Sequence, residues 1–327
     1  MKLLAALLFF LAAATRPWTA AAQVPLQPVP MAAPIPVLMG PNEELIVSVE
    51  NPPTILVADL YTGKVKRTLT HGAWQPSGAG RPIAVDEGGH LFTVDVATNT
   101  IWVFDRLNRL LRSFVVDQGC AGSPGGSGIR DLAFTARGTL VALGGWASGS
   151  INFLLEIDPE TGSTIHCCNL NAVVGATFEG ARIAIDSEGL VYVTQYNPPS
   201  GPKSVAKVNM ATCALEAMIA TPAVDAGLID IEVLPSGAIL VGDSTAGTVW
   251  LSDPQQATWC AATPCAGVPH AHQTFTAGHG FVYGHAAVGC GNGPGWVDVI
   301  PLGCGSATTE QFDLGVPSVA AMVIRHG

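Results

Sequence analysis

Four of the chain's eight histidines, His270, His272, His279 and His285, fall within 16 residues. Three imidazoles with an open fourth position can hold zinc or copper and activate water, or coordinate a substrate directly. Their spacing matches no named metal motif, and a glycine-rich segment with several surface histidines would read the same way. A second constellation is Arg81, Arg130 and Arg182, each about fifty residues from the next, with Asp131 and Asp230. Guanidinium groups converging on a partly desolvated mouth suit a carboxylate or a phosphorylated or sulfated small ligand through bidentate pairing. The competing reading is that the arginines pair with Asp131 and Asp230 and fill the space between them.

Which reading holds depends on the elements that carry these residues. Along the chain a short apolar strand, a polar turn ending in glycine, a second apolar strand and a third closing on a polar residue recur. The clearest copies are Arg81–Asp105, Ala181–Gln195 and Ile229–Asp253. Four short strands per unit of about 45 to 50 residues mark a propeller blade, because one such sheet cannot bury both faces alone. The turn glycines Gly89, Gly138, Gly189, Gly237 and Gly280 are spaced by 49, 51, 48 and 43 residues, which gives five blades. The remaining blade is split: segments 44–49, 54–59 and 64–69 lack an inner strand, and Val319–Ile324 supplies one. The alternative donor of that strand is Pro34–Met39. The expected fold is all-β, a six-bladed β-propeller with four-stranded blades, its ring closed by pairing of the N- and C-terminal segments.

Propeller ligands sit where the inner strands begin, around the central channel. Counting eight residues back from each turn glycine gives Arg81, Arg130, Ala181, Ile229 and His272, with Val319 in the split blade. Counting seven gives Pro82, Asp131, Arg182, Asp230 and Gln273, with Ala320. This register places Arg81, Arg130, Arg182, Asp230 and His272 at the mouth as candidate ligand-binding residues. Alternation puts His270 and His272 on one side of their strand, and His285 reaches the same face from the next one. These three are the candidate metal ligands, whereas His279 falls in the turn at the opposite face. Second strands end at Glu50, Asp95, Gln195 and Asp243. As a set these would form a ring of calcium ligands, but one acid per separate hairpin favours turn caps that accept backbone N–H bonds.

Residues 1–22 read as a secretory signal: Lys2, an apolar run from Leu3 to Ala14, then Ala20–Ala22 as a small-residue cleavage site. Residues 23–36, rich in proline and alanine, read as an extended leader, and 37–327 as the propeller domain. Loss of Lys2 and Arg16 takes the formal charge from −10 to −12, which disfavours nucleic-acid partners. Beyond the signal no apolar run approaches a bilayer span, so no membrane insertion is expected after its removal. Eight cysteines in an exported chain favour disulfides. Locality suggests Cys260 with Cys265 and Cys290 with Cys304. Cys167 and Cys168 point to opposite faces of a strand and need different partners, Cys213 of the next blade being one. No Gly-x-Ser-x-Gly elbow opens a helix and no Cys-x-x-Cys-His is present, which removes a serine-hydrolase reading and covalent haem.

At Ile83–Gly89, Leu91–Asp95 and Asn99–Asp105, and again at Gly242–Trp250, the chain resembles NHL-repeat propellers and the related gluconolactonase-like and strictosidine-synthase-like six-bladed families. The resemblance covers most of residues 40 to 325 and implies the fold. Gluconolactonase-like enzymes would hold a divalent cation at the mouth through Glu, Asn and Asp. Here most of those positions carry other residues, three arginines, a histidine and a glutamine among them. The expected function is an exported, disulfide-stabilised binding protein that takes a small anionic ligand or a protein partner at the channel mouth. The alternative is a metal-assisted hydrolase or lactonase using zinc, copper or calcium at His270, His272 and His285, with Asp230 beside them.

Overall fold

The computed structural model describes residues 43–49, 52–70, 82–116, 128–145, 152–175, 178–196, 203–222, 227–243, 248–262, 274–286, 295–305, 310–316 and 319–326. They belong to one compact unit, Met39–Gly327. The expected signal and leader lie outside the described residues.

Every blade is a four-stranded antiparallel sheet. Blade one contains β1 (Glu44–Val49), β2 (Thr54–Asp59) and β3 (Val65–Leu69). Blade two is β4 (Ile83–Val85), β5 (Leu91–Asp95), β6 (Thr100–Phe104) and β7 (Leu110–Val115). Blade three is β8 (Ile129–Phe134), β9 (Leu140–Gly144), β10 (Phe153–Ile157) and β11 (Thr164–Asn169), followed by the single-turn helix α1 (Leu170–Val173). Blade four is β12 (Gly180–Ile185), β13 (Leu190–Gln195), β14 (Ser204–Asn209) and β15 (Ala214–Ala220). Blade five is β16 (Leu228–Val233), β17 (Ile239–Asp243), β18 (Thr248–Ser252) and β19 (Trp259–Ala261). Blade six is β20 (Phe275–Gly278), β21 (Phe281–Ala286), β22 (Trp296–Pro301) and β23 (Glu310–Asp313). The inner strand of blade one is β24 (Ala321–Arg325), which pairs antiparallel with β1 from Glu44↔Arg325 to Ser48↔Ala321. The expected closure is therefore the observed one, and β24 occupies the edge of β1 that Pro34–Met39 would otherwise have filled.

Second and third strands are buried on both faces, so they read as unbroken apolar runs such as Leu-Ile-Val in β1 and Ile-Leu-Val in β2. Outer strands such as β7 alternate between half-buried and exposed. The core is a set of apolar layers between neighbouring blades. Ile46, Val57, Ile83, Leu91 and Phe104 fill the joint between blades one and two, and Leu45, Val47, Tyr283 and Val297 that between six and one. Each such side chain contributes about 1.5–3 kcal/mol, so these layers outweigh any single polar clasp.

The turn glycines Gly89, Gly138, Gly189 and Gly237 all have positive φ, and each donates its N–H to the residue three before it, as a type I turn with a glycine bulge requires. Blade six departs from this. Gly278 pairs directly with Phe281, leaving a two-residue turn in which His279 (φ 53°) and Gly280 (φ 80°) are both left-handed, as a type I′ turn demands. The cap reading of the acidic strand ends holds at Asp95, whose Oδ1 accepts the N–H of Ala97 at 3.1 Å. Glu50 lies outside the described residues. The ends of third strands use the same device at Asp59, Asp105, Asp158 and Asp253. Backbone N–H groups of the turn hold Asp105 and Asp158 below the usual carboxylate range.

Two described disulfides clamp neighbouring blades. Cys168 of β11 bonds Cys213, in the turn before β15, with 5.4 Å between Cα atoms. Cys260 of β19 bonds Cys304, between β22 and β23, at 5.5 Å. This corrects the expected Cys260–Cys265 and Cys290–Cys304 pairs. Local pairing loses because the β22–β23 connection lies over β19, where Gly305 N–H donates to Ala261 C=O at 2.8 Å. The observed partners are 45 and 44 residues apart, about one blade repeat. Cys167 is disulfide-bonded too.

Candidate functional site in the central channel

The six inner strands neighbour one another in ring order and enclose a cavity of about 260 Å³. Three of them, β8, β12 and β16, carry a register irregularity at the start: between Ile129 and Asp131, Gly180 and Ile183, and Leu228 and Asp230. A bulge re-aims side chains and breaks simple alternation. It is at these irregularities that Arg130, Asp131, Arg182 and Asp230 sit.

Asp131, Arg182, Asp230 and Glu232 line the cavity, each deep in the ring yet keeping part of its surface open to the channel. The carboxylates also tie strand to strand. Asp131 Oδ2 accepts the N–H of Ile183 at 2.8 Å, and Asp230 Oδ2 accepts that of Phe275 at 2.8 Å. Glu232 Oε2 accepts the N–H of Ala277 at 3.3 Å. Arg182 reaches in two directions, donating from Nη1 to the Arg130 carbonyl at 2.7 Å and from Nη2 to the Ala320 carbonyl at 3.3 Å. Thr274 and Thr276 of blade six hydrogen-bond Asp230 and Glu232.

Among the described residues three acids share the cavity with one arginine, and their surroundings raise all three pKa values. Burial pushes Asp131 up to about 7, against the pull of Arg182 and of the Ile183 N–H. Burial, with the Asp230 charge added, pushes Glu232 up to about 8. Asp230 is raised as well, again chiefly by burial. Near neutral pH the cavity therefore holds carboxyl groups poised between their neutral and charged forms.

Of the residues expected at the mouth, Arg182 and Asp230 line the cavity. Arg130 does not. It is buried and turned between blades, donating to the Gly180 carbonyl at 2.5 Å and pairing with Glu179 at 3.3 Å. Arg81, His270 and His272 lie outside the described residues. His285 is buried near the end of β21, and its backbone N–H donates to Thr274 C=O at 2.9 Å, so it stands at the mouth end of blade six. His279 is in the turn at the opposite end, as expected. The shorter turn of blade six also corrects the count for that blade: the equivalents of Asp230 and Glu232 are Thr274 and Thr276, one residue beyond the register set by the turn glycines. Glu232 was not among the expected residues, although it follows Asp230 by two and alternation alone puts both on one face.

No family model matches the chain, and no curated protein matches it. Solved structures do. A protein of unknown function from Bacteroides caccae superposes with a TM-score of 0.64 at 12% identity, over 87% of this chain and 99% of that one. A chain of a nidogen/laminin complex gives 0.63 at 11%, over 87% and 99%. Virginiamycin B lyase from Staphylococcus aureus gives 0.51 at 11%, over 85% and 86%. These likenesses establish the β-propeller fold. At such identity they carry no activity across, since this architecture hosts unrelated functions.

Proposed function

We propose that the chain is an exported β-propeller that binds a small ligand in its central channel. The observation that carries this reading is the opening of Asp131, Asp230, Glu232 and Arg182 onto one cavity. The two described disulfides support export, and among the described residues no helix is long and apolar enough to cross a membrane. Arg182 is engaged by two backbone carbonyls, and Arg130 is turned away. The described lining thus favours a cationic group, such as an ammonium, over the anion expected from the sequence. Binding a cation converts raised carboxyl groups to carboxylates, so it releases protons and strengthens as pH rises.

Calorimetric titration with a panel of small amines and a matched panel of carboxylates tests the reading. The expected result is binding of at least one amine, stronger at about pH 8.5 than at about pH 6, and lost in Asp230→Asn. Binding confined to carboxylates overturns the cationic assignment.

A second reading is metal-assisted hydrolysis at the mouth. It is favoured by the place of His285, buried at the mouth end of blade six beside the start of β20. Its test is lactone hydrolysis by the metal-loaded protein, abolished in His285→Ala.

A further inference from the structure

At the face opposite the mouth, Glu43, His279 and His326 come together from three places in the chain. Glu43 immediately precedes β1, His326 immediately follows β24, and His279 is the first residue of the type I′ turn of blade six. His279 Nε2 lies 2.8 Å from Glu43 Oε1 and His326 Nδ1 3.2 Å from the same oxygen. All three ligand atoms fall within 4.8 Å of one another. We propose that these residues form a divalent transition-metal site, of the zinc class, that staples the closing joint of the propeller to blade six.

Three features carry this. The donor set is two imidazoles and one carboxylate, which suits zinc and its first-row neighbours, whereas calcium and magnesium take oxygen ligands. The spacing is close to what a tetrahedral ion needs: metal–ligand distances near 2.1 Å put ligand atoms roughly 3.4 Å apart. The third feature is directional. His279 Nε2 is buried and, despite its distance from Glu43, does not meet that oxygen in hydrogen-bonding geometry, so among the described residues it has no hydrogen-bond partner. A buried ring nitrogen beside a carboxylate but not aimed at it is placed as a ligand to a shared third centre.

The support around the trio fits the same role. Tyr61 donates its hydroxyl to the other carboxylate oxygen of Glu43 and so fixes the carboxylate's orientation, as outer partners of metal ligands do. The Glu43 and His279 side chains are 7% and 17% exposed and that of His326 68%, so an ion can enter on the His326 side and keep a water there. The positive φ of His279 follows from the shortened turn, which brings its ring to the closing joint.

The test uses the full chain, stripped with chelator and titrated with Co²⁺ and then Zn²⁺. Expected are one ion per chain, a cobalt spectrum with imidazole ligation that zinc abolishes, and a melting temperature raised by about 3 °C or more at saturating zinc. His326→Ala removes an exposed ring, so it folds; it and Glu43→Gln each weaken binding by about tenfold or more. His285→Ala leaves this binding intact, which separates the site from any metal at the mouth. Absence of bound ion, binding unchanged in His326→Ala and Glu43→Gln, or binding lost in His285→Ala instead, each overturns the proposal. An imidazole–carboxylate hydrogen-bonded latch, the competing explanation, gives destabilised variants with no metal dependence.

Discussion

Asp131, on the inner strand of blade three, accepts the backbone N–H of Ile183, on the inner strand of blade four, at 2.8 Å. Asp230 makes the same bond to Phe275 between blades five and six. These acids are thus stitches between blades as well as lining for the channel. They have a dual demand: the N–H favours the carboxylate, while burial favours the neutral acid, and burial is the stronger.

That balance gives stability a pH dependence of known sign. Asp131 rises from 3.8 to about 7 and Glu232 from 4.5 to about 8 on folding. The native state then holds protons that the unfolded state has released, so stability is greatest below the unfolded values and is lost as pH climbs through 7 and 8. Calorimetric melting from roughly pH 5 to pH 9 should show a falling transition temperature. In the isosteric double variant Asp131→Asn, Glu232→Gln, which retains the acceptor oxygens, the slope should flatten.

Arg182→Met should destabilise the fold by about 2–3 kcal/mol, since it removes two charge-assisted bonds to partly buried carbonyls and the cation facing three acids. Urea unfolding measures the loss. The same variant should also move the pH-dependent fall to higher pH, because Arg182 now pulls Asp131 and Asp230 down.

Ring closure has its own polar clasp. Arg325 is buried, donates from Nε to Glu44 Oε2 at 2.9 Å and bonds it again through Nη2, while Arg67 takes the other oxygen of Glu44. Truncating Glu44→Ala leaves the buried Arg325 guanidinium with the neutral acceptors Gly89 C=O, Arg106 C=O and Asn108 Oδ1 and no carboxylate among them, an effect of about 3–5 kcal/mol in unfolding free energy. Replacing Glu44 by Gln should recover part of it, and comparing the two by denaturant titration separates the charge from the hydrogen bonds.

The inter-blade disulfides enclose 45- and 44-residue separations, for which loop-closure entropy gives about 4 kcal/mol each. Cys168→Ala with Cys213→Ala should therefore lower the denaturation midpoint clearly while leaving the far-ultraviolet circular dichroism of the folded protein unchanged.

The repeat made the blades, their order and the closing strand legible, because turn glycines with positive φ mark a fixed point in each hairpin. The channel was less so, for local reasons. Irregularities at the starts of β8, β12 and β16 interrupt period-two counting at Arg130, Asp131, Arg182 and Asp230. The type I′ turn at His279 shortens blade six and slips its register, so Thr274 rather than Gln273 stands opposite Asp230. Glu232 was within reach of alternation from Asp230. The meeting of Glu43 with His279 and His326 was not, because nothing in the spacing of residues more than 230 positions apart signals contact; only closure of the ring brings them together.

Closure also sets an order on biosynthesis. Glu44 and its partner Arg325 are 281 residues apart, so during translation β1 emerges with its inner edge bare and keeps it bare until every other blade has been made. An apolar strand in that state is open to pairing with another nascent chain. Pairing of β24 with β1 closes the longest loop in the fold, whose entropy must be met before its contacts give any return.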